Sequence, residues 1–109
     1  MKRALLLALA ASSLAFAACG SNTVGRSCTK TSECDPGQTC YTDAPGGTCT
    51  KGCSAEGTAK DCPGDSLCAE SLGLLLCASV CQDDGQCRAD YKCTPVAGST
   101  RSACTAKAP

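Results

Sequence analysis

Thirteen cysteines are the feature that most limits what this 109-residue chain can fold into. From Cys28 onward the gaps between successive cysteines are 6, 6, 9, 4, 9, 6, 9, 4, 6, 6 and 11. If the four cysteines of one unit are labelled a, b, c and d, the b-to-c step is always 6 and the d-to-next-a step is always 4. Length changes fall only between a and b and between c and d, as is typical of loops. The spacing predicts three tandem four-cysteine repeats at 28–49, 53–77 and 81–104, followed by a tail at 105–109.

Large apolar side chains are too few to form a hydrophobic core beyond the N-terminal segment. The chain has no Trp, one Phe and two Tyr, and six of its fourteen Val, Leu and Phe residues lie in the first sixteen positions. Such a composition would ordinarily indicate disorder. A cysteine at 13 of the 91 positions from 19 to 109 is instead typical of exported domains held together by disulfides.

Turn-forming residues recur between c and d of each repeat, at 43–47, 71–73 and 97–99. Glycine in all three, and proline in the first, favour a reversal of the chain. Each repeat is therefore predicted to contain a hairpin that runs from just before c, through the turn, and back into d. No segment of the repeats shows helical periodicity. The predicted fold class is small and disulfide-rich, with short β-hairpins and little or no helix.

Residues 1–18 have the pattern of a secretory signal peptide. Lys2 and Arg3 precede an uncharged stretch at 4–18 that is rich in Leu and Ala. This stretch is shorter than the ~20 residues that a membrane-spanning helix needs, and its basic start suits an export signal. Export to an oxidising compartment also favours disulfides over free thiols.

The Phe-Ala-Ala-Cys sequence at 16–19 resembles the lipobox of bacterial lipoproteins, in which an apolar residue and two small residues precede an acceptor cysteine. The resemblance implies cleavage after Ala18, a diacylglyceryl thioether and an N-acyl chain such as palmitate on Cys19, and a tether at 19–27. Gly20 stands where aspartate would retain a lipoprotein at the inner membrane, which implies the bacterial outer membrane or cell surface. Assigning Cys19 to lipid leaves twelve cysteines that can all pair. The alternative is an ordinary cleaved signal with an unmodified Cys19.

The spacing C-x5-C-x5-C followed by a longer gap to a fourth cysteine resembles the Dickkopf N-terminal and colipase-like cysteine-rich modules. Pro-Gly between b and c in the first two repeats adds to the resemblance. Counting alone leaves about ten thousand pairings of twelve cysteines open, and three within any four. The resemblance implies that a pairs with c and b with d. The implied bonds are Cys28–Cys40, Cys34–Cys49, Cys53–Cys68, Cys62–Cys77, Cys81–Cys93 and Cys87–Cys104.

The composition argues against several classes of function. Without histidine the chain cannot hold a Ser-His or Cys-His nucleophile pair or a Cys2His2 zinc site. It also lacks the C-x2-C spacing of structural zinc sites and thioredoxin-like proteins. After residue 18 there are eight basic and ten acidic residues, a net charge of −2, which gives no electrostatic basis for binding nucleic acid. We expect no enzyme, no cofactor and no metal site.

A few side chains are candidates for more specific roles. Aspartates at positions 61 and 65, and at 83, 84 and 90, are interpreted as solvated loop charges rather than as a calcium or acid–base site. Tyr41 and Tyr91 lie close to c-position cysteines, and each is expected to cover a disulfide. One apolar run follows residue 18, and it either packs on the disulfides or a neighbouring repeat, or forms a partner-binding patch. This run comprises Leu72, Leu74, Leu75 and Leu76.

These features predict a lipid-anchored protein of the bacterial cell envelope, whose disulfide-linked repeats act as a binding or structural module. Its predicted partners are the membrane, through the lipid on Cys19, and a protein of unknown identity. The alternative is a small secreted inhibitor that presents an inter-cysteine loop to a hydrolase, with 43–48 and 70–76 as the candidate loops.

Overall fold

The computed structural model describes residues 24–108; the predictions for the signal peptide and Cys19 lie outside this range. Each repeat contributes one antiparallel hairpin, as predicted, and the first and third repeats each add a short 3-10 helix between a and b. None of the helices at 24–108 is long and apolar enough to cross a membrane. The strands are β1 (Thr39–Tyr41), β2 (Thr48–Thr50), β3 (Ser66–Ser71), β4 (Leu74–Cys81), β5 (Tyr91–Pro95) and β6 (Ser102–Ala106), and the 3-10 helices are Thr31–Glu33 and Asp84–Gln86.

Two disulfides close each repeat, one from a to c and one from b to d. Their Cα–Cα distances of 5.5–6.0 Å are normal for disulfides. This is the interlaced pairing that the resemblance implies, and the predicted class of small disulfide-rich fold with short hairpins is confirmed. The bonds are Cys28–Cys40, Cys34–Cys49, Cys53–Cys68, Cys62–Cys77, Cys81–Cys93 and Cys87–Cys104.

In every hairpin the c and d cysteines stand directly opposite each other. The facing pairs are Cys40–Cys49, Cys68–Cys77 and Cys93–Cys104. Residues opposite each other on antiparallel strands project from the same face, so both disulfides of a repeat leave its hairpin on one side. In each repeat, three of the four sulfur atoms lie within 4.8 Å of one another. All of them are already in disulfides, which leaves no thiolate there to bind a metal.

The segment between a and b is tied to its hairpin by a hydrogen bond that recurs in all three repeats. In each case the backbone amide of c donates to an oxygen of that segment, and so points away from the opposite strand. This shared contact explains why the a–b segment keeps its place although its length and sequence vary. The bonds are Cys40 N to Thr31 Oγ1 (3.1 Å), Cys68 N to Thr58 O (2.9 Å) and Cys93 N to Asp84 Oδ1 (2.7 Å).

A second recurring contact joins the two ends of the a–b segment. The residue just before b accepts a hydrogen bond from the residue just after a, in the pairs Thr29–Glu33, Ser54–Asp61 and Gln82–Gln86. Glu33 accepts from both the amide and the hydroxyl of Thr29 and from the amide of Lys30, and these hydrogen bonds lower the pKa of its carboxyl group. The side chain before b therefore acts as a local brace.

The predicted solvated aspartates are more specifically placed than the sequence indicated. Asp61 is half-buried, the carboxylate of Asp65 is 2.6 Å from the Arg101 guanidinium, and Asp83 accepts from the Gly85 amide. Asp84 accepts from the amide of a c cysteine, as given above. Within residues 24–108 no three carboxylates converge on one point, and the side chains of Asp61, Asp83 and Asp84 each brace a loop.

The second and third repeats share a four-stranded sheet in the order β3-β4-β6-β5. The first repeat lies against β4, where the Thr50 hydroxyl donates to the Cys77 carbonyl (2.6 Å) and the Cys77 amide donates to the Lys51 carbonyl (3.0 Å). An isolated antiparallel bridge joins Gly52 to Leu76. Pro95 lies in the edge strand β5, where a residue without an amide hydrogen discourages further strand pairing.

Residues 24–26 belong to the folded module, so the predicted tether at 19–27 is wrong at its C-terminal end. The Gly25 amide donates to the Cys49 carbonyl (2.8 Å), and the Cys49 amide donates to the Arg26 carbonyl (2.9 Å). With Gly25 at φ +89°, this is a glycine β-bulge that adds an antiparallel segment to β2. Val24 is buried, and its carbonyl accepts from the Ser79 hydroxyl (2.6 Å). Val24 is therefore part of the folded module.

Arg88 joins the third repeat to the first. Its guanidinium donates to the backbone carbonyls of Gly25 (2.7 Å), Pro45 (2.6 Å) and Gly47 (2.9 Å). It also lies 4.6 Å from the centre of the Tyr91 ring, and the Tyr91 hydroxyl donates to the same Pro45 carbonyl (2.9 Å). A charged group that satisfies three carbonyls fixes the position of the 43–48 loop on the third repeat.

The apolar core is as small as the composition predicts. Its buried cluster lies on β3, β4, β6 and the start of the turn after β5, with Val80 packed against it. It comprises Leu67, Ala69, Ala78, Val96 and Ala103. Three of these five side chains are single methyl groups, which contribute little hydrophobic stabilisation. The disulfides must therefore supply much of the stability.

Complete reduction is expected to unfold the module. The six bonds close loops with sequence separations of 12 to 17 residues, and restricting the unfolded chain in this way contributes ~3 kcal/mol per bond. Far-ultraviolet circular dichroism and amide exchange, before and after reduction with alkylation, measure the loss. A reduced and alkylated sample that kept native exchange protection would contradict this prediction.

Arg88→Lys is expected to lower the free energy of unfolding by about 2 kcal/mol, because an ammonium group cannot reproduce hydrogen bonds from a planar guanidinium to three carbonyls. Arg101→Lys is the matched control. Its ion pair joins side chains that are 48% and 74% exposed, and such pairs contribute ~0–1 kcal/mol. Denaturant titration with the disulfides intact measures both variants. Equal losses would show that Arg88 does not have the role assigned to it.

Candidate functional site

The four leucines, for which internal packing and a partner-binding patch are the two alternatives, lie in different environments. Leu76 is 4% exposed and Leu75 is half-buried, whereas Leu72 is 43% exposed and Leu74 is 50% exposed. Leu72 and Leu74 are the two large apolar side chains exposed in the part of the chain that the structure describes. They lie at the end of the β3–β4 hairpin, and residues 71–74 are called the hairpin tip below.

The backbone of the hairpin tip is unusual for its sequence. Ser71 pairs with Leu74, and the two residues between them, Leu72 (φ +56°) and Gly73 (φ +76°), both have positive φ. A two-residue connection of this kind is a type I′ turn, whose first position favours Asn, Asp or Gly. Leu72 is the one non-glycine residue with positive φ in the range 24–108. A leucine side chain in this conformation costs roughly 1–2 kcal/mol.

This strained leucine points to a role beyond turn formation. Asparagine followed by glycine would form the same turn without strain, so folding alone does not account for a leucine here. Residues held in unfavourable backbone conformations cluster at functional sites. Leu72 is also exposed. The strained turn therefore presents an apolar side chain to solvent at the end of a rigid hairpin.

The base of the hairpin tip is anchored to the rest of the module. The Ser71 hydroxyl accepts a hydrogen bond from the Ala106 amide of β6 (3.2 Å). On the same hairpin, Glu70 is exposed and stands opposite Leu75. The tip therefore combines two exposed leucines with a fixed base and a carboxylate just behind them.

Neither candidate loop for a hydrolase inhibitor is an exposed extended segment. In the 43–48 loop, Ala44 and Thr48 are buried, and the Pro45 carbonyl accepts from both Arg88 and Tyr91. A Cβ at Gly47 would lie 1.9 Å from the Cys28 carbonyl oxygen, so this loop is closely packed. In the 70–76 loop, all but the two turn residues are paired in the hairpin. The geometry favours a contact surface at the tip over a loop that enters the cleft of a hydrolase.

The two tyrosines have different roles. Tyr91 is buried and lines a cavity of about 90 Å³ with Cys87 and Cys104. Burial raises the pKa of its hydroxyl group, which donates to the first repeat. Tyr91 thus joins two repeats, a role that its position near a cysteine did not indicate. Tyr41 is half-buried in β1.

A polar cleft lies between the end of β4 and the turn before β6. Asp65, Gln82, Gln86 and Arg101 line it. The two charged groups already form an ion pair across 2.6 Å, and Gln86 accepts from the Gln82 amide. The two charged groups of the cleft are therefore engaged with each other, and the hairpin tip, with its exposed leucines, is the stronger candidate site.

Leu72→Asn is expected to raise the free energy of unfolding by about 1 kcal/mol, because asparagine adopts positive φ with little strain. Leu74→Thr is the matched control: it also removes an exposed leucine, but from a regular strand position, and should change stability by less than ~0.5 kcal/mol. Denaturant titration of both variants measures the difference. A Leu72→Asn protein less stable than the natural one would contradict the assigned strain.

No family model, curated protein or solved structure matches the sequence. A function for the protein therefore has to be argued from its own residues, of which the hairpin tip and the cysteine count are the most informative.

Proposed function

We propose that this is an exported, lipid-anchored protein of the bacterial cell envelope, whose disulfide-linked module holds the hairpin tip as a binding surface. The cysteine count is the observation that carries the proposal. The structure pairs all twelve cysteines from Cys28 to Cys104 with one another, and the chain has thirteen. Cys19 is therefore left without an intramolecular partner, and it is the residue at the acceptor position of the lipobox-like sequence.

An unpaired thiol in an oxidising compartment is open to oxidation and to disulfide formation between molecules. A thioether to diacylglycerol removes that reactivity and supplies the anchor. Two or more acyl chains hold a protein stably on a bilayer, whereas one chain holds it only marginally. This chemistry accounts for an odd cysteine directly after a signal-like segment better than an unmodified thiol does.

The short tether supports a role at the membrane surface. Val24 belongs to the module, and the five peptide units between Cys19 and Val24 span at most ~18 Å when fully extended. A module on such a tether stays close to the bilayer. Binding at that surface, rather than catalysis, fits a chain that lacks histidine.

Metabolic labelling with a radioactive fatty acid tests the anchor. Labelled protein should come out with the membrane fraction, and Cys19→Ala should abolish the label while leaving the six disulfides intact. Intact-mass spectrometry of the anchored form should show a chain starting at Cys19 with its acyl chains, twelve hydrogens lighter than the same chain fully reduced, because each of six bonds removes two. Label that survives Cys19→Ala, or an unlabelled mature chain, would overturn the proposal.

A further inference from the structure

We propose that the hairpin tip inserts Leu72 and Leu74 into the surface of the bilayer that carries the Cys19 anchor, and so fixes the orientation of the module on the membrane. The inference rests on the lipid anchor of the proposed function and adds a second, specific contact to it. Three observations carry the inference: the position of Val24, the direction of residues 24–26, and the composition of the hairpin tip.

The position of Val24 allows the Cys19 anchor to reach the level of the hairpin tip. The Val24 carbonyl accepts from the Ser79 hydroxyl on β4 (2.6 Å), and Ser79 is five residues along that strand from Leu74. Five strand residues span ~17 Å, which matches the maximum of ~18 Å between Cys19 and Val24. An anchor at Cys19 and a tip at Leu74 can therefore reach the same plane.

The direction of entry also favours the tip. Through the Gly25 bulge, residues 24–26 run antiparallel to β2, and the Gly52–Leu76 bridge shows that the chain leaving β2 runs antiparallel to β4. Residues 24–26 consequently run parallel to β4. Since β4 begins at Leu74, Val24 is the end of its segment nearer the tip. The segment at 24–26 therefore points its N-terminal end toward the tip.

The composition of the tip suits a bilayer surface. Residues 71–76 carry no charge, and the two exposed leucines at the end of the tip are the first side chains to meet the acyl region. Glu70 is exposed just behind them. An ionised carboxylate stays in water because burying it unpaired is costly. Glu70 therefore limits insertion to the two leucines.

The size of the patch favours a membrane over a protein partner. Specific protein interfaces bury about 1,200–2,000 Å² in total, which is far more than two half-exposed leucines provide. The same two side chains need no further contacts when an anchor already keeps them at the surface, because the anchor supplies most of the affinity. The tip then sets the orientation of the module, and this accounts for the strained leucine where asparagine would fold more easily.

A single tryptophan reports on insertion directly, because the chain contains no natural tryptophan. The mature protein is coupled through the Cys19 thiol to a maleimide lipid in vesicles of phosphatidylcholine and phosphatidylglycerol, so the test does not depend on acylation in the cell. In the Leu74→Trp variant we expect emission to move to shorter wavelength on coupling and to be quenched by lipids with brominated acyl chains. Lys92→Trp is the matched control, since Lys92 is exposed on β5, at the opposite edge of the sheet from β3. Its emission should change little.

A second measurement uses variants that keep the fold. Coupling Cys19 to a single-chain lipid makes vesicle binding weak and reversible, so a contribution from the tip appears as a change in partitioning. The double change Leu72→Asn with Leu74→Thr suits the turn and the strand, and circular dichroism checks that the fold is kept. We expect it to weaken partitioning on the order of tenfold, because the apolar area that the two exposed leucines would bury in the bilayer is lost.

Three outcomes would overturn the inference. In the first, the Leu74→Trp emission on coupled vesicles equals that in water; in the second, the double variant partitions as the natural protein does. In the third, the tryptophan responds only when envelope proteins are added to the vesicles, which would make a protein the occupant of the tip. Absence of the fatty-acid label from the natural protein in cells would overturn the proposed anchor alone, because the vesicle measurements use a synthetic anchor.

Discussion

The rest of the structure depends on the placement of two disulfides on one face of each hairpin. Because c and d stand opposite each other, their side chains meet the a–b segment together, and the three closest sulfur atoms of each repeat lie within 4.8 Å. The sulfur pairs thus occupy the space that leucine and phenylalanine fill in larger domains. This lets repeats of about 22 to 25 residues hold their shape with alanine, serine and threonine as most of the buried side chains other than cysteine.

A rigid module of this kind can hold a costly feature at its surface. In a flexible loop the backbone of Leu72 would relax from its φ of +56°. Here the strand pairing that places Cys68 opposite Cys77 and the Ser71 contact to β6 keep the hairpin closed. Arg88 and Tyr91 give the first repeat a fixed place on the third, and Arg88 also binds the carbonyl of Gly25, next to Val24. The strained tip and Val24 therefore keep a constant relation to each other.

Much of the fold could be predicted because cysteine spacing and turn residues are local signals. The three repeats and their hairpins follow from them, whereas the pairing came from a resemblance. The Arg88 contacts were not predictable, since they depend on carbonyls 41 to 63 residues away. Residues 24–26 looked like tether because a glycine bulge has no apolar pattern. The positive φ of Leu72 could not be predicted, because leucine rarely adopts that conformation. The sequence indicated only a turn at 71–73 with leucines next to it.

The c–d turns differ in length among the repeats, with cysteine steps of 9, 9 and 11, while the sulfur-bonded half of each hairpin stays the same. The part of the hairpin beyond the cysteines is thus free to diverge without disturbing what holds the repeat together. A foreign peptide grafted between residues 72 and 73 would be displayed on a hairpin whose geometry is fixed by disulfides and strand pairing on either side of the insertion. The architecture is in this sense a compact display scaffold whose open end is the hairpin tip, since the 43–48 loop is held by Arg88 and Tyr91.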